Sequence, residues 1–93
     1  MNLTAEQLDT VQQMAERLMH PSLIATAIGM DETDFILTLK EPKSLLHERY
    51  YNGFIQAKMQ LHESIIKSAL NGSNPSQAEM KKLVTEAEIY ING

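Results

Sequence analysis

The chain has no cysteine and no tryptophan, only three prolines and four glycines in 93 residues, and no apolar run long enough for a membrane span. Without cysteine there is no disulfide framework, no thiolate nucleophile, no Cys-ligated zinc site and no iron–sulfur cluster, and a reducing compartment fits. The glycines stand singly, so no phosphate-cradling loop is present and no nucleotide cofactor is expected. The first twenty residues lack a basic start and a continuous apolar stretch, which predicts a cytoplasmic protein with no secretory signal and no membrane partner. Positive charge is also scarce. Eight Lys and Arg against twelve Asp and Glu leave a net charge of −4, which argues against a generally basic coat for nucleic acid or anionic lipid.

What is present is helical periodicity. A hydrophobic fraction of 43% with 22% charged residues suits a folded domain and excludes a disordered tail. Leu8, Val11, Met14, Ala15, Leu18 and Met19 recur at helical steps, and Thr4 with Gln7 forms a capping box, predicting a helix over 5–19. Pro21 suits the first turn of a second helix over 21–28, with an apolar stripe of Leu23, Ile24, Ala27 and Ile28 and Gly29 as its stop. Asp31 caps a third over 32–40. Pro42 opens a long fourth helix over 43–70, in which Leu46, Tyr50, Phe54, Ala57, Leu61, Ile65 and Ala69 form one stripe and Gly53 marks a kink or a close backbone approach. Ser76 with Glu79 starts a fifth, apolar at Met80, Leu83, Val84, Ala87 and Ile91 and fraying at Asn92-Gly93. The expected fold is all-α: a helix-turn-helix region (1–41) followed by a long antiparallel helical hairpin (42–93) that drives oligomerisation.

The second and third helices are joined by Gly29-Met30 alone, and a short glycine turn between two short helices is the signature of a helix-turn-helix. Ala25 is small at the crossing, Ile24 and Ile28 face inward, Met30 plugs the turn and Phe35 anchors the third helix. Thr38 takes a position where an apolar residue is usual, so Leu39 must make that buried contact.

Leu3-Thr4-Ala5-Glu6-Gln7-Leu8, LIATAIGMDETDF (23–35), Leu39-Lys40-Glu41-Pro42, Tyr51-Asn52-Gly53 and Ser68-Ala69-Leu70-Asn71-Gly72 together resemble the small subunits of phage terminases and related phage helix-turn-helix proteins. The resemblance covers roughly residues 3–72. It implies a non-catalytic DNA-packaging subunit in the cytoplasm of a bacterial host, a homo-oligomer that binds double-stranded DNA and recruits a large ATPase-nuclease subunit. It places the third helix in a major groove, with Thr33, Ile36, Leu37, Lys40 and Lys43 as DNA-contacting residues.

The charges dissent. Over residues 1–41 there are seven acids against two cations, whereas residues 42–93 hold six cations and five acids. The third helix has no Arg, Asn or Gln for bidentate base contacts. Two alternatives therefore stand beside DNA recognition: a protein-interaction or assembly module with a helix-turn-helix shape, and a small dimeric transcriptional regulator. The surplus apolar flank of the fourth helix, Tyr51, Ile55, Met59 and Ile66, is the expected oligomer interface. Chemistry is not expected. His47 and His62 lie about 22 Å apart along one helix and cannot share a metal, and Ser44, Ser64 and Ser68 stand in no nucleophile motif.

Overall fold

The structure, a computed structural model, describes residues 2–92. It is all-α, with five helices in chain order: α1 (Ala5–Glu16), α2 (Pro21–Ala27), α3 (Glu32–Leu39), α4 (Leu45–Leu70) and α5 (Asn74–Asn92). Packing divides the chain into two compact units, Met1–Lys58 and Met59–Gly93, so the first unit holds α1, α2, α3 and the start of α4. The division read from sequence, at 41/42, instead assigned all of α4 to the second part.

The caps explain where each helix begins. Thr4 and Gln7 make the expected capping box: the Gln7 amide donates to Thr4 Oγ1 (3.1 Å) and the Thr4 amide donates to Gln7 Oε1 (2.8 Å). Gln7 Nε2 then donates to the Ile28 carbonyl at 2.9 Å, satisfying an acceptor left free at the end of α2. His20 caps α2 with its ring: Nδ1 accepts from the Ser22 amide (3.1 Å) and from the Ser22 hydroxyl (2.7 Å), a role only a neutral ring fills. Asp31 Oδ2 accepts from the Thr33 and Asp34 amides to start α3.

Two starts differ from expectation. Pro42 does not open α4; Pro42 and Lys43 form a turn, and Ser44 is the cap, its hydroxyl accepting from the His47 amide at 3.0 Å. A three-carbon backbone lock is not required there, because a hydroxyl satisfies a free amide where proline only removes one. Likewise α5 begins at Asn74, not after Ser76: the Gln77 amide donates to the Ser73 carbonyl (2.9 Å) and the Ser76 amide to Ser73 Oγ (3.4 Å), with Pro75 tolerated in the first turn. The helix includes Asn92, and Gly93 lies outside the described residues.

Three helices end alike. At the ends of α2 and α4, Gly29 (φ +71°) and Gly72 (φ +93°) turn the chain, and the next residue donates back five positions: Met30 to Ala25, Ser73 to Ser68. The same pair of bonds ends α1, with Leu18 donating to Ala15 and Met19 to Met14. Here the left-handed residue is Leu18 (φ +56°), so α1 stops at Glu16 rather than 19, and Leu18 is 55% exposed instead of in the core stripe.

The first unit closes around Val11, Ile24, Ala25, Ile28, Met30, Phe35, Leu39 and Leu46. Of these, Phe35, Ile24, Leu46 and Val11 are the largest that are fully buried, each contributing about 1.5–3 kcal/mol of transfer free energy. Leu39 makes the buried contact expected of it. Leu23 and Ala27, expected in the α2 stripe, are exposed, because a seven-residue helix offers the core only Ile24, Ala25 and the following Ile28.

α4 lies against α1 at Gly53. A Cβ at that position would run into the Gln12 carbonyl oxygen and sit 2.9 Å from Ala15 Cβ. Arg49, one turn earlier, fastens the same crossing: its Nε donates to Gln12 Oε1 at 2.7 Å and its guanidinium pairs with Asp9. In the second unit, Ala69 is buried while Ile65, Met80 and Leu83 are half-buried, and Gln77 Nε2 donates to the Ala69 carbonyl at 3.1 Å. Leu61, Val84 and Ile91, expected in apolar stripes, are exposed.

Two substitutions read this architecture. Leu18→Gly removes left-handed strain of about 1 kcal/mol from an exposed site and raises the thermal midpoint by several degrees, measured by circular dichroism. Gly53→Ala gains about 1 kcal/mol of helix propensity yet forces the helices apart, so denaturant titration shows a net loss of about 1–3 kcal/mol.

Candidate functional site

α3 is the element on which the helix-turn-helix reading depends. Its cap Asp31 and its first-turn Glu32 and Asp34, all exposed, lie at the positive end of the helix dipole, where carboxylates are stabilising for the helix itself. Phe35 and Leu39 point inward and fix the helix on the core. That leaves Glu32, Thr33, Asp34, Leu37 and Lys40 facing solvent, with Leu37 60% exposed. Ile36 departs from expectation: it is half-buried against the core cluster, because it lies one position from Phe35 on the flank facing inward, and only its edge reaches the surface. Glu32, Thr33, Ile36 and Leu37 line a shallow hollow open to solvent.

Lys43 is exposed in the turn beyond α3. The turn is held by the cap of α4, Ser44, and by His47 in its first turn. The Ser44 hydroxyl donates to the Thr38 carbonyl at 2.9 Å, and His47 Nδ1 donates to the Leu39 carbonyl at 2.8 Å, so both take up acceptors at the end of α3. A carbonyl can only accept, which places the His47 proton on Nδ1. Thr38, the residue out of place by side-chain type, is therefore a backbone anchor. A second, half-open hollow of about 320 Å³ is lined by Leu3, Leu8, Met30, Thr38, Ser44 and Leu46 among others.

Arg49, Asp9 and Gln12 were not singled out by sequence, and Ser44 was weighed there only as a nucleophile, not as a cap. Arg49 meets Asp9 and Gln12 across 40 and 37 residues, a separation that no local spacing signals. Among the described residues the Arg49–Asp9 contact is the one ion pair, so the carboxylates of Glu32 and Asp34 and the cations of Lys40 and Lys43 have no charged partner there.

The expected interface residues are all exposed: Tyr51 and Ile55 in the first unit, Met59 and Ile66 in the second. Leu70 joins Met59 and Ile66 around a surface hollow with His62, Glu63 and Lys67. Tyr51 belongs to an aromatic cluster, 4.5 Å from the His47 ring and 5.2 Å from Tyr50, while Tyr50 stacks on Phe54 at 6.1 Å and Lys58 lies over Phe54. Burial, and then the neighbouring Tyr51, push the Tyr50 phenol above its ordinary range.

Among the described residues no three His, Cys, Asp or Glu side chains gather in a way that could hold a metal ion, and no helix is long and apolar enough to cross a membrane. The arrangement offers surfaces: an acidic-to-basic face on α3 and apolar faces on α4 and α5.

A raised phenol pKa means the neutral form is favoured by folding, so the Tyr50 contribution is complete below the ordinary tyrosine range and is lost as pH rises through the raised value. Tyrosinate absorbance should contain an ionisation above that range, which Tyr50→Phe removes. Comparison with known protein families, with curated proteins and with solved structures finds no match for this chain.

Proposed function

We propose that this chain is a non-catalytic, self-associating subunit of a phage DNA-packaging assembly, similar to a terminase small subunit. It works by assembly and by recruiting a large ATPase-nuclease subunit in the bacterial cytoplasm. The observation that carries the reading is the set of large apolar side chains left in solvent on α4: Tyr51, Ile55, Met59, Ile66 and Leu70. They step by four, four, seven and four residues, a spacing that keeps them on one side of a helix. Each is 39–77% exposed, so covering it contributes about that fraction of the roughly 1.5–3 kcal/mol of full burial, which in sum favours association of copies. The helix-turn-helix unit is then a compact head whose exposed acids favour protein contacts over phosphate contacts.

A second reading, in which α3 touches duplex DNA, is favoured by the shared exposure of Thr33, Leu37, Lys40 and Lys43. Against it stand the carboxylates at the end of α3 that enters the groove in helix-turn-helix proteins.

Light scattering on a gel-filtration peak across a concentration series measures the first reading. A stable multi-subunit assembly whose mass falls with Ile66→Glu supports it, and a monomer at every concentration removes it. In the same preparations, duplex DNA titrated at low salt measures the second: binding that loses about one unit of salt slope with Lys40→Ala supports groove contact, and no binding excludes it.

A further inference from the structure

Among the described side chains of α5 none is fully buried, and from Val84 to Ile91 every one is exposed. The half-buried ones, Ser76, Gln77, Met80 and Leu83, all lie in its first half. Helical turns with no packed face are marginal in water.

The charges of α5 divide between two sides of the helix. Glu79, Lys82 and Glu86 step by three and four residues, so opposite charges already neighbour one another along one side. Lys81 and Glu88 lie on a separate side, in line with Gln77, Val84 and Ile91; the steps of that line are four, three, four and three. This is the spacing of a seam between two packed helices. Lys81 and Glu88 are about 10 Å apart along the axis at 1.5 Å per residue, too far to pair with each other. Neither has an ion-pair partner among the described residues.

The seam is complementary to itself read backwards, with a cation three residues before Val84 and an acid four residues after it. We infer that α5 pairs with α5 of a second copy, the two helices antiparallel about a two-fold axis beside Val84. Lys81 of each chain then meets Glu88 of the other, so the pair occurs twice; Val84 faces its own counterpart and Ile91 lies toward Gln77. A parallel pair in register would set Lys81 on Lys81 and Glu88 on Glu88, which costs rather than contributes. Exposed ion pairs are individually weak, so these fix direction and register while Val84 and Ile91, 52% and 79% exposed, gain apolar cover. Ile89 and Tyr90 are exposed too but stand off this line. The contact is isologous, the same surface on both copies, and closes at two chains.

This inference rests on the self-association proposed above and adds a contact separate from the α4 flank, so the two are tested apart. The full-length chain is compared with Lys81→Glu, with Glu88→Lys, with both changes in one chain, and with an equal mixture of the two single variants, by sedimentation velocity over a concentration and salt series. Each single variant turns two attractions into repulsions and should weaken association about ten-fold or more, with helicity by circular dichroism unchanged. The double variant and the mixture should recover to within about three-fold, and high salt should weaken the wild type.

Indifference of both single variants leaves the seam to a different protein and overturns the α5 pairing, as does failure of the double variant to recover. If Ile66→Glu still lowers the mass in that case, association through α4 stands and only this inference fails. If instead Ile66→Glu leaves a two-chain species that Lys81→Glu dissociates, the α5 pairing stands without the α4 contact. A monomer whose thermal midpoint falls with Lys81→Glu would assign the seam to its own chain, which also overturns the pairing. A wild type that is monomeric at every concentration removes both.

Discussion

The missing side chain at Gly53 sets how closely α4 can approach α1, and the core of the first unit follows from that distance. With hydrogen in place of a methyl group, the α4 backbone reaches the Gln12 carbonyl and the small Ala15. Helix propensity disfavours glycine at an interior position by about 1 kcal/mol, so its presence there reflects packing. The approach brings Leu46 over Phe35 and its neighbours, and it brings Arg49 within reach of Asp9 and Gln12. It also places Ser44 and His47 on the last carbonyls of α3, so one helix supplies both the lid of the core and the clamp on the helix-turn-helix.

Short helices bring a second constraint, because each one leaves free amides at its start and free carbonyls at its end. The chain answers with side chains that serve twice. Gln7 closes the capping box of α1 and reaches the end of α2; Ser44 caps α4 and receives the end of α3. These bonds tie consecutive elements together at their ends, while the apolar core holds their middles. No buried side-chain nitrogen or oxygen among the described residues is left without a partner, as a core this small requires.

With the core so complete, what remains outside it bears on function. The surface of α3 is polar and charged with an apolar centre, while α4 and α5 leave large aliphatic and aromatic groups in solvent. Such surfaces suit a subunit whose work is contact. The acids that stabilise the first turn of α3 through its dipole also repel phosphate there, so helix stability and groove binding make opposing demands on the same residues.

Sequence by itself determined the all-α class, the five helices and the glycine turns, because periodicity, caps and stops are set within a few residues of one another. Thr4 with Gln7, Asp31, Gly29 and Gly72 were legible for that reason. The end of α1 was not, since Leu18 adopts a backbone conformation that its residue type disfavours. The starts of α4 and α5 were misplaced because Ser44 and Ser73 compete as caps with the more conspicuous Pro42 and Ser76. Only tertiary structure decided that Ile36 turns partly inward, that Leu61, Val84 and Ile91 stay outside, and that Arg49 meets Asp9 and Gln12. Those outcomes depend on where one helix lies across another, and crossing geometry is a property of packed surfaces that no local pattern encodes.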